Sequence, residues 1–381
     1  MLTRLALAFC LLGAVSASDA GGVAQPPSHP AIPVGGFPTG ITLSRSTHTV
    51  YVGNGSQGTL SLIDGDTCNA RDVRSCGRNR TAVTAGTDPI GIAVAESTHT
   101  VYVVNFSGTV AVVDGRSCDA AHSAGCQAAL ATVHVGVYPQ FLAVDDRTHT
   151  VYVANGGSNT VSVIDGRRCN ASSTVGCRRV RASVRVGPVP FTLAVNPVTS
   201  SVYVTDLGAH TVSVIDGRTC NAAVIRGCGR RPVEVDVGET PGGIAVNTRT
   251  NTVYVTGESS SDVSVIDGRG CNATASSGCR RRPVRVRAGA GARGIAVDEA
   301  TDTVYVANTI ANTVSVIDGS ACNARVHAGC RRRPAVADVG LSPRRVAVDE
   351  ATGTVYVTNA GSDSVTLLDG RTCNGRVHAG C

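Results

Sequence analysis

TVYVAN at residues 303–308 and NTVSVI at residues 312–317 are two short runs rich in β-branched and apolar residues, with three residues between them. Runs of this length and composition, bounded by turn residues, predict strands. In the same stretch, GIAV at residues 294–297 predicts a strand before them, and residues 334–339 predict one after them. The unit therefore predicts four strands joined by tight turns.

The tyrosine of this unit recurs along the chain at intervals of 50 or 51 residues, each time within a Val-Tyr-Val run. The seven copies are Tyr51, Tyr102, Tyr152, Tyr203, Tyr254, Tyr305 and Tyr356. Four strands per unit, repeated seven times, predict an all-β fold, a seven-bladed β-propeller of four-stranded blades. We therefore expect residues 30–381 to form a single propeller domain.

The two ends of the repeat predict how the ring closes. The last copy ends at Cys381 without a fourth strand, while PAIPVG at residues 30–35 aligns with the fourth strand at residues 232–238. If this N-terminal segment pairs as the outer strand of the last blade, the ring closes and leaves no open seam for aggregation.

The amino-acid composition excludes a disordered chain. The 381 residues include 44 Gly and no Trp, 42% are hydrophobic and only 16% are charged. Such a chain is too apolar to stay disordered.

The long apolar run is N-terminal, where Arg4 and residues 5–15 predict a secretory signal peptide over residues 1–20. Residues 21–29 predict a flexible leader. We expect a secreted, periplasmic or cell-surface monomer with no transmembrane segment in the mature chain.

The cysteines predict disulfides. Cys10 lies in the signal segment, and the other fourteen form one pair per repeat, with seven residues between the partners. The pairs are Cys68/Cys76, Cys118/Cys126, Cys169/Cys177, Cys220/Cys228, Cys271/Cys279, Cys322/Cys330 and Cys373/Cys381. An even set in an exported chain favours one local disulfide per loop between the third and fourth strands, while pairing between neighbouring blades stays open. No His or second Cys pair completes a zinc set, so we expect no metal and no cofactor.

The runs YVTN at residues 356–359, YVAN at residues 152–155 and YVAN at residues 305–308 resemble the YVTN-repeat β-propeller family. The resemblance covers about residues 30–381 and recurs in every blade. It implies the propeller fold and an exported bacterial protein, similar to YncE-like and surface-layer proteins. The wider group includes lactonase-like propellers.

Residues that do not repeat are the functional candidates. We expect one slot, just before each inner strand, to line the channel mouth on the face that we call the top, which carries the fourth-to-first and second-to-third loops. The slot holds Thr39, Ile90, Gln140, Phe191, Gly242, Arg293 and Arg344. It contains no acidic or His cluster, and Asp88 and Glu239 lie on distant blades. This argues against the metal-assisted hydrolysis of some lactonase-like relatives and offers no catalytic residue.

Aromatic residues outside the repeat fall at top-face loops of blades one to four, and arginines fall there on blades six and seven. The candidate ligand-binding residues are Phe37, Phe106, Tyr138, Gln140, Phe141, Phe191, Arg293, Arg344 and Arg345. We expect an apolar crescent opposite a cationic one, which would suit a small anionic or amphipathic ligand or a protein partner. Packing under a hydrophobic lid is the alternative.

Two further sets face the other side of the predicted ring. His48, His99 and His149 occupy one slot in the turns between first and second strands, a position that polar turn residues tolerate. The chain has no Lys, and an Arg cluster follows the second Cys of several pairs; its members are Arg178, Arg179, Arg230, Arg231, Arg280–Arg282 and Arg331–Arg333. These arginines predict a basic bottom rim that could bind a polyanion. No interleaved aromatics support nucleic acid.

The sequence thus favours an exported, non-catalytic binding or scaffold propeller. The alternatives are a lactonase-like hydrolase with its site at the top mouth, and binding of a polyanion on the Arg-rich rim.

Overall fold

Seven four-stranded antiparallel sheets form the seven blades of a β-propeller in a computed structural model, which describes residues 29–78, 80–122, 126 and 128–381. The inner strands are β2 Pro38–Ser44, β6 Pro89–Ala95, β10 Pro139–Asp145, β14 Pro190–Asn196, β18 Pro241–Asn247, β22 Ala292–Asp298 and β26 Pro343–Asp349. The second strands are β3 Thr49–Asn54, β7 Thr100–Asn105, β11 Thr150–Asn155, β15 Ser201–Asp206, β19 Thr252–Gly257, β23 Thr303–Asn308 and β27 Thr354–Asn359.

The third strands are β4 Thr59–Asp64, β8 Thr109–Asp114, β12 Thr160–Asp165, β16 Thr211–Asp216, β20 Asp262–Asp267, β24 Thr313–Asp318 and β28 Ser364–Asp369. The outer strands are β5 Arg80–Thr84, β9 Ala131–His134, β13 Ala182–Arg185, β17 Val233–Asp236, β21 Val284–Arg287, β25 Ala335–Asp338 and, in the last blade, β1 Ala31–Pro33. Short 3₁₀ turns lie at Cys76–Arg78, Glu96–Thr98, Val175–Arg178 and Ser277–Arg280. The predicted fold class is confirmed.

The predicted strands of one unit match the observed ones closely. The second strand, Thr303–Asn308, has the predicted bounds, while the inner strand begins earlier than predicted, at Ala292. The inner strands pair with the second strands through a register irregularity next to their first residue, as at Pro343/Arg345. The predicted mouth slot is consequently the second residue of each inner strand, where it was expected just before the strand.

The N-terminal strand closes the ring as predicted. Ile32 pairs with Val365 in β28, and the β1–β28 ladder is antiparallel. Ile32 is 1% exposed and packs with Val50 of the first blade and Tyr356 of the last. One short segment therefore belongs to the seventh sheet and also contacts the first.

The hydrophobic core consists of layers between neighbouring blades. One layer, for example, contains Tyr51 and Leu60 of the first blade together with Val101 and Val103 of the second. Because valine and alanine fill these layers, the chain needs few large side chains. The seven repeat tyrosines are fully buried.

The predicted disulfides all form, each within a single loop. The bonds are Cys68/Cys76, Cys118/Cys126, Cys169/Cys177, Cys220/Cys228, Cys271/Cys279, Cys322/Cys330 and Cys373/Cys381. Pairing between neighbouring blades, which the sequence left open, does not occur, because each loop folds back and brings its own two cysteines together. In the second blade, for example, the Cα atoms of the pair are 4.7 Å apart.

The second cysteine of a pair is buried although it lies in a loop. Cys126, Cys177, Cys228 and Cys330 are between 2% and 4% exposed. They pack in the apolar layers between blades, each beside its bonded partner and the repeat tyrosine of the preceding blade. These disulfides therefore contribute to the core as well as closing a loop.

Each disulfide loop is also attached to the preceding blade by hydrogen bonds. In the second-blade loop, the Cys118 carbonyl accepts a hydrogen bond of 2.7 Å from the Tyr51 hydroxyl. The N–H of Ala120 donates to Thr49 Oγ1 at 2.9 Å. The disulfide thus holds in place a loop that joins two blades.

The predicted signal peptide and nearly all of the predicted leader lie outside the described residues. None of the helices within the described ranges is long and apolar enough to cross a membrane. Seven disulfides indicate an oxidising compartment outside the cytosol.

Candidate functional site at the top mouth

The inner strands bring aromatic and cationic side chains into contact at the top of the channel. The guanidinium carbon of Arg345 lies 3.8 Å from the ring centroid of Phe141 and 5.3 Å from that of Phe191. The two phenylalanine rings meet edge to face at 5.2 Å. Arg293 also lies over Phe191, at 5.3 Å. The two expected crescents are therefore in contact with each other, since Arg345 reaches the aromatic side.

One acidic residue joins this group. Glu258, in the turn after β19, accepts a hydrogen bond of 3.2 Å from Arg293 Nη1, and their side chains are only 23% and 17% exposed. We call Phe141, Phe191, Arg293, Arg345 and Glu258 the mouth cluster. Glu258 was not among the candidates predicted from the sequence, although a signal was present: the residue after each second strand is acidic in this blade alone. The seven residues are Gly55, Phe106, Gly156, Leu207, Glu258, Thr309 and Ala360.

The mouth cluster carries excess positive charge. No carboxylate in the described part of the chain lies within ion-pairing distance of Arg345. Burial lowers the pKa of Arg345, and the charges of Arg293 and Arg344 lower that pKa further, against an opposing effect of Glu258. Because a guanidinium stays protonated in proteins, this lowering reflects first the cost of burying the charge and then its repulsion by Arg293 and Arg344, and a bound anion would offset both.

Glycine explains why the inner strands can approach each other around the channel. The third residue of each inner strand is glycine in four blades, and a Cβ at Gly294 would clash with the carbonyl oxygen of Arg344. Phe141 and Arg345 occupy the same position in the third and seventh blades. A comparison of the third residue of the inner strand across the seven blades would have identified Phe141 and Arg345 as the contacting pair. The predicted mouth slot used the second residue of each inner strand.

The remaining candidates form separate contacts. Arg344 lies over the ring of Phe37, at 5.1 Å from its centroid. Phe106 and Tyr138 stack with centroids 5.0 Å apart, and the side-chain amide of Gln140 donates to the Tyr138 carbonyl oxygen. The nine candidates therefore make one central cluster and two flanking groups.

A family model supplies the identification. Residues 49–379 match the model described as "Lactonase, 7-bladed beta-propeller". The chain belongs to this seven-bladed lactonase family. No curated protein matches it. Among solved structures, it is similar to Kuenenia stuttgartiensis hydrazine synthase, with 18% identity and a TM-score of 0.67 over 93% of this chain and 99% of that one. At this identity the likeness shows the fold alone.

The histidine slot of this lactonase-family propeller is a turn position. His48, His99 and His149 have φ values of 47°, 49° and 51°, and every other blade also has a left-handed residue there. His99 Nδ1 lies 3.2 Å from the Ser46 hydroxyl of the preceding blade. Among the residues that the structure describes, no three His, Cys, Asp or Glu side chains come close enough together to hold a metal ion.

The Arg-rich clusters of the lactonase-family propeller are exposed, and one lies on its side. The 3₁₀ turn Ser277–Arg280 packs against β17, the outer strand of the preceding blade. Arg280–Arg282 consequently line a cleft between the outer parts of the fourth and fifth blades. The bottom rim was the expected location for this cluster.

Proposed function

We propose that this lactonase-family propeller is a binding protein that holds a small anionic or amphipathic ligand at its top mouth without hydrolysing it. The observation that carries the proposal is the Arg345 guanidinium, stacked on Phe141 and without an ion-pair partner among the described residues. A carboxylate, sulfonate or phosphate could accept from its N–H groups, because guanidinium and these anions match in geometry.

The apolar part of the ligand would contact Phe141 and Phe191. Aromatic side chains beside a cation suit a molecule with an anionic end and a hydrophobic body. Arg293 is already engaged by Glu258, so Arg345 is the principal anion-binding residue in this proposal. Phe37 with Arg344, and Phe106 with Tyr138 and Gln140, would form the walls on either side.

The test uses 1-anilinonaphthalene-8-sulfonate, a fluorescent amphipathic anion, with the full oxidised protein. We expect saturable binding that Arg345→Gln weakens at least about tenfold, because a charge-assisted contact is lost. Arg287→Gln, at an exposed arginine of β21, is the matched control and should leave binding unchanged. Equal binding by wild type and Arg345→Gln would contradict the proposal.

The second candidate is a lactone hydrolase, which the family match favours. In that case Glu258 is the acidic group at the mouth that could act as a general base. A hydrolysis assay with δ-gluconolactone and an aryl ester, with and without added divalent metal, separates the two candidates. Turnover by wild type that Glu258→Gln abolishes would establish the hydrolase and overturn the non-catalytic proposal.

The remaining proposals concern the cellular location of the protein, its branch of the family and its oligomeric state. We propose that the protein is exported, that residues 1–20 are removed, and that it belongs to the YVTN-repeat branch as a monomer. The Cys pairs support export because they need an oxidising compartment. N-terminal sequencing and light scattering of the exported protein test the cleavage site and the monomer.

A further inference from the structure

A basic cleft lies apart from the mouth cluster, between the fourth and fifth blades. It has a volume of about 350 Å³. We define the blade-4/5 cleft by the polar residues that line it, which are His210, Asp236, Arg280, Arg281, Arg282 and Arg285. Its volume is in the range of sites that hold small molecules.

Three of its four arginines are available to a ligand. Arg280, Arg281 and Arg282 are exposed, and their guanidinium groups have no hydrogen bond or ion pair with any residue that the structure describes. Arg285 is held in place, since it donates to Asp262 at 3.3 Å and to the Val237 carbonyl oxygen at 3.1 Å.

His210 adds a hydrogen-bond donor to the blade-4/5 cleft. Its Nδ1 accepts a hydrogen bond of 3.0 Å from the backbone N–H of Thr240, so the ring proton is on Nε2. In three other blades a side-chain oxygen at the same turn position makes this contact, as when Asn312 Oδ1 accepts from the N–H of Ser342 at 2.8 Å. Histidine therefore keeps the structural acceptor and provides a second, outward nitrogen.

The charge count decides the class of ligand. Four arginines face one lining carboxylate, Asp236, and the Asp262 carboxylate that pairs with Arg285. A single carboxylate occupies one guanidinium fork, whereas a phosphate or diphosphate presents several oxygens and more than one negative charge. We propose that the blade-4/5 cleft binds a phosphate-containing anion of diphosphate size.

Calorimetric titration with inorganic diphosphate at low ionic strength tests the proposal. We expect one site per chain, and Arg280→Gln/Arg281→Gln/Arg282→Gln should weaken binding at least about tenfold, the loss expected for charge-assisted hydrogen bonds. The matched control is Arg331→Gln/Arg332→Gln/Arg333→Gln, which removes the same three charges one blade away. The equivalent position there is also rich in arginine, since Arg287 replaces Asp236. It lacks the His210 donor and the Arg285 guanidinium held by Asp262, because serine and valine stand at those places. The control therefore separates a shaped site from positive charge alone.

The control triple variant should change diphosphate affinity less than about twofold, apart from the general effect of net charge. If both triple variants weaken diphosphate binding equally, the anion is attracted by the overall positive charge, and the cleft proposal is overturned. A lack of saturable diphosphate binding would also overturn it. His210→Asn gives an independent variant, because asparagine can accept from the Thr240 N–H but offers no ring donor. It should retain the melting temperature and weaken binding by roughly threefold to tenfold.

A parallel titration with long-chain polyphosphate distinguishes the sources of the phosphate. A polymer that binds through the cleft should lose affinity in the Arg280–Arg282 variant and compete with diphosphate. Polyphosphate binding that both triple variants reduce equally, with no competition from diphosphate, would assign the polymer to the whole rim and overturn the cleft proposal. Neither result depends on the mouth cluster, so the proposal is independent of the function proposed above.

Discussion

The Tyr356 hydroxyl donates a hydrogen bond of 3.0 Å to the carbonyl oxygen of Cys68, across 288 residues of sequence. This contact joins the last blade to the first, and the other six repeat tyrosines make the same contact with the next disulfide loop. The carbonyl acceptors are those of Cys118, Cys169, Cys220, Cys271, Cys322 and Cys373. Each disulfide loop is thereby attached to the preceding blade, and all seven interfaces between blades contain this hydrogen bond.

Removal of that hydroxyl should destabilise the ring. Tyr356→Phe keeps the buried ring and leaves the Cys68 carbonyl without its tyrosine donor, so we expect a loss of about 1–2 kcal/mol in the free energy of unfolding. Urea denaturation measures the loss. Tyr203→Phe, which removes the equivalent bond to Cys271, should cost a similar amount. An unchanged denaturation midpoint in both variants would show that these bonds contribute nothing net.

Disruption of the closure strand β1 should also destabilise the ring. Ile32→Asp places a charge in the apolar layer formed with Val50 and Tyr356, and an uncompensated buried charge costs more than about 3 kcal/mol. The neighbouring Ala31 is exposed, so Ala31→Asp is the matched control and should leave the melting temperature nearly unchanged. Deletion of residues 30–35 should resemble Ile32→Asp. If both aspartate variants melt together with wild type, the closure is not needed for stability.

The fourth blade differs from the repeat by a buried aspartate, Asp206, which should make the free energy of unfolding depend on pH. Asp206 stands where most blades have asparagine, and it accepts from Ser213 Oγ at 2.7 Å. Its Oδ1 is buried and has no partner among the described residues. Burial is the main cause that raises the pKa of Asp206 to about 7.

Since the folded-state pKa lies above the unfolded value, protonated Asp206 favours the native state. This contribution is complete below pH about 4 and is lost as pH rises through 7. Asp206→Asn should therefore raise the free energy of unfolding by up to about 4 kcal/mol above pH 7, with little change at pH 4. Asn155→Asp is the reciprocal variant and should introduce the same pH dependence in blade three. A parallel shift at both pH values would contradict the assignment.

Arg345 should lower the stability of the unliganded protein. Arg345→Met keeps an aliphatic side chain on Phe141 and removes a charge that Arg293 and Arg344 repel. We expect the variant to unfold at a higher temperature at low salt, with a gain of about 1 kcal/mol, because a half-buried charge is replaced by an apolar group. Arg287→Met should show no gain. A loss of stability in Arg345→Met would mean that the stacked cation stabilises the mouth.

The seven blades and their closure could be predicted because they depend on a pattern that every unit repeats. A period of 50 or 51 residues, a Val-Tyr-Val run and a Cys pair in each unit leave few alternatives to a propeller. The sequence could not give the contacts of the mouth, since Arg345 and Phe141 are 204 residues apart and meet only when inner strands from different blades converge. The strand irregularity beside Pro343 also moved the important position by one residue.

The amino-acid sequence by itself determined the seven blades, the Cys pair of each blade and the strand that closes the ring, because each follows from a pattern that repeats every 50 or 51 residues. The pairing of the cysteines within one loop was decided by the folded loops, which bring those two cysteines together. Only the tertiary structure decided which charges are neutralised. It paired Arg293 with Glu258, placed Arg345 among aromatic rings, and set Arg280–Arg282 beside His210 of another blade. Electrostatic energy depends on distance and burial, and the closed ring sets both across blade boundaries.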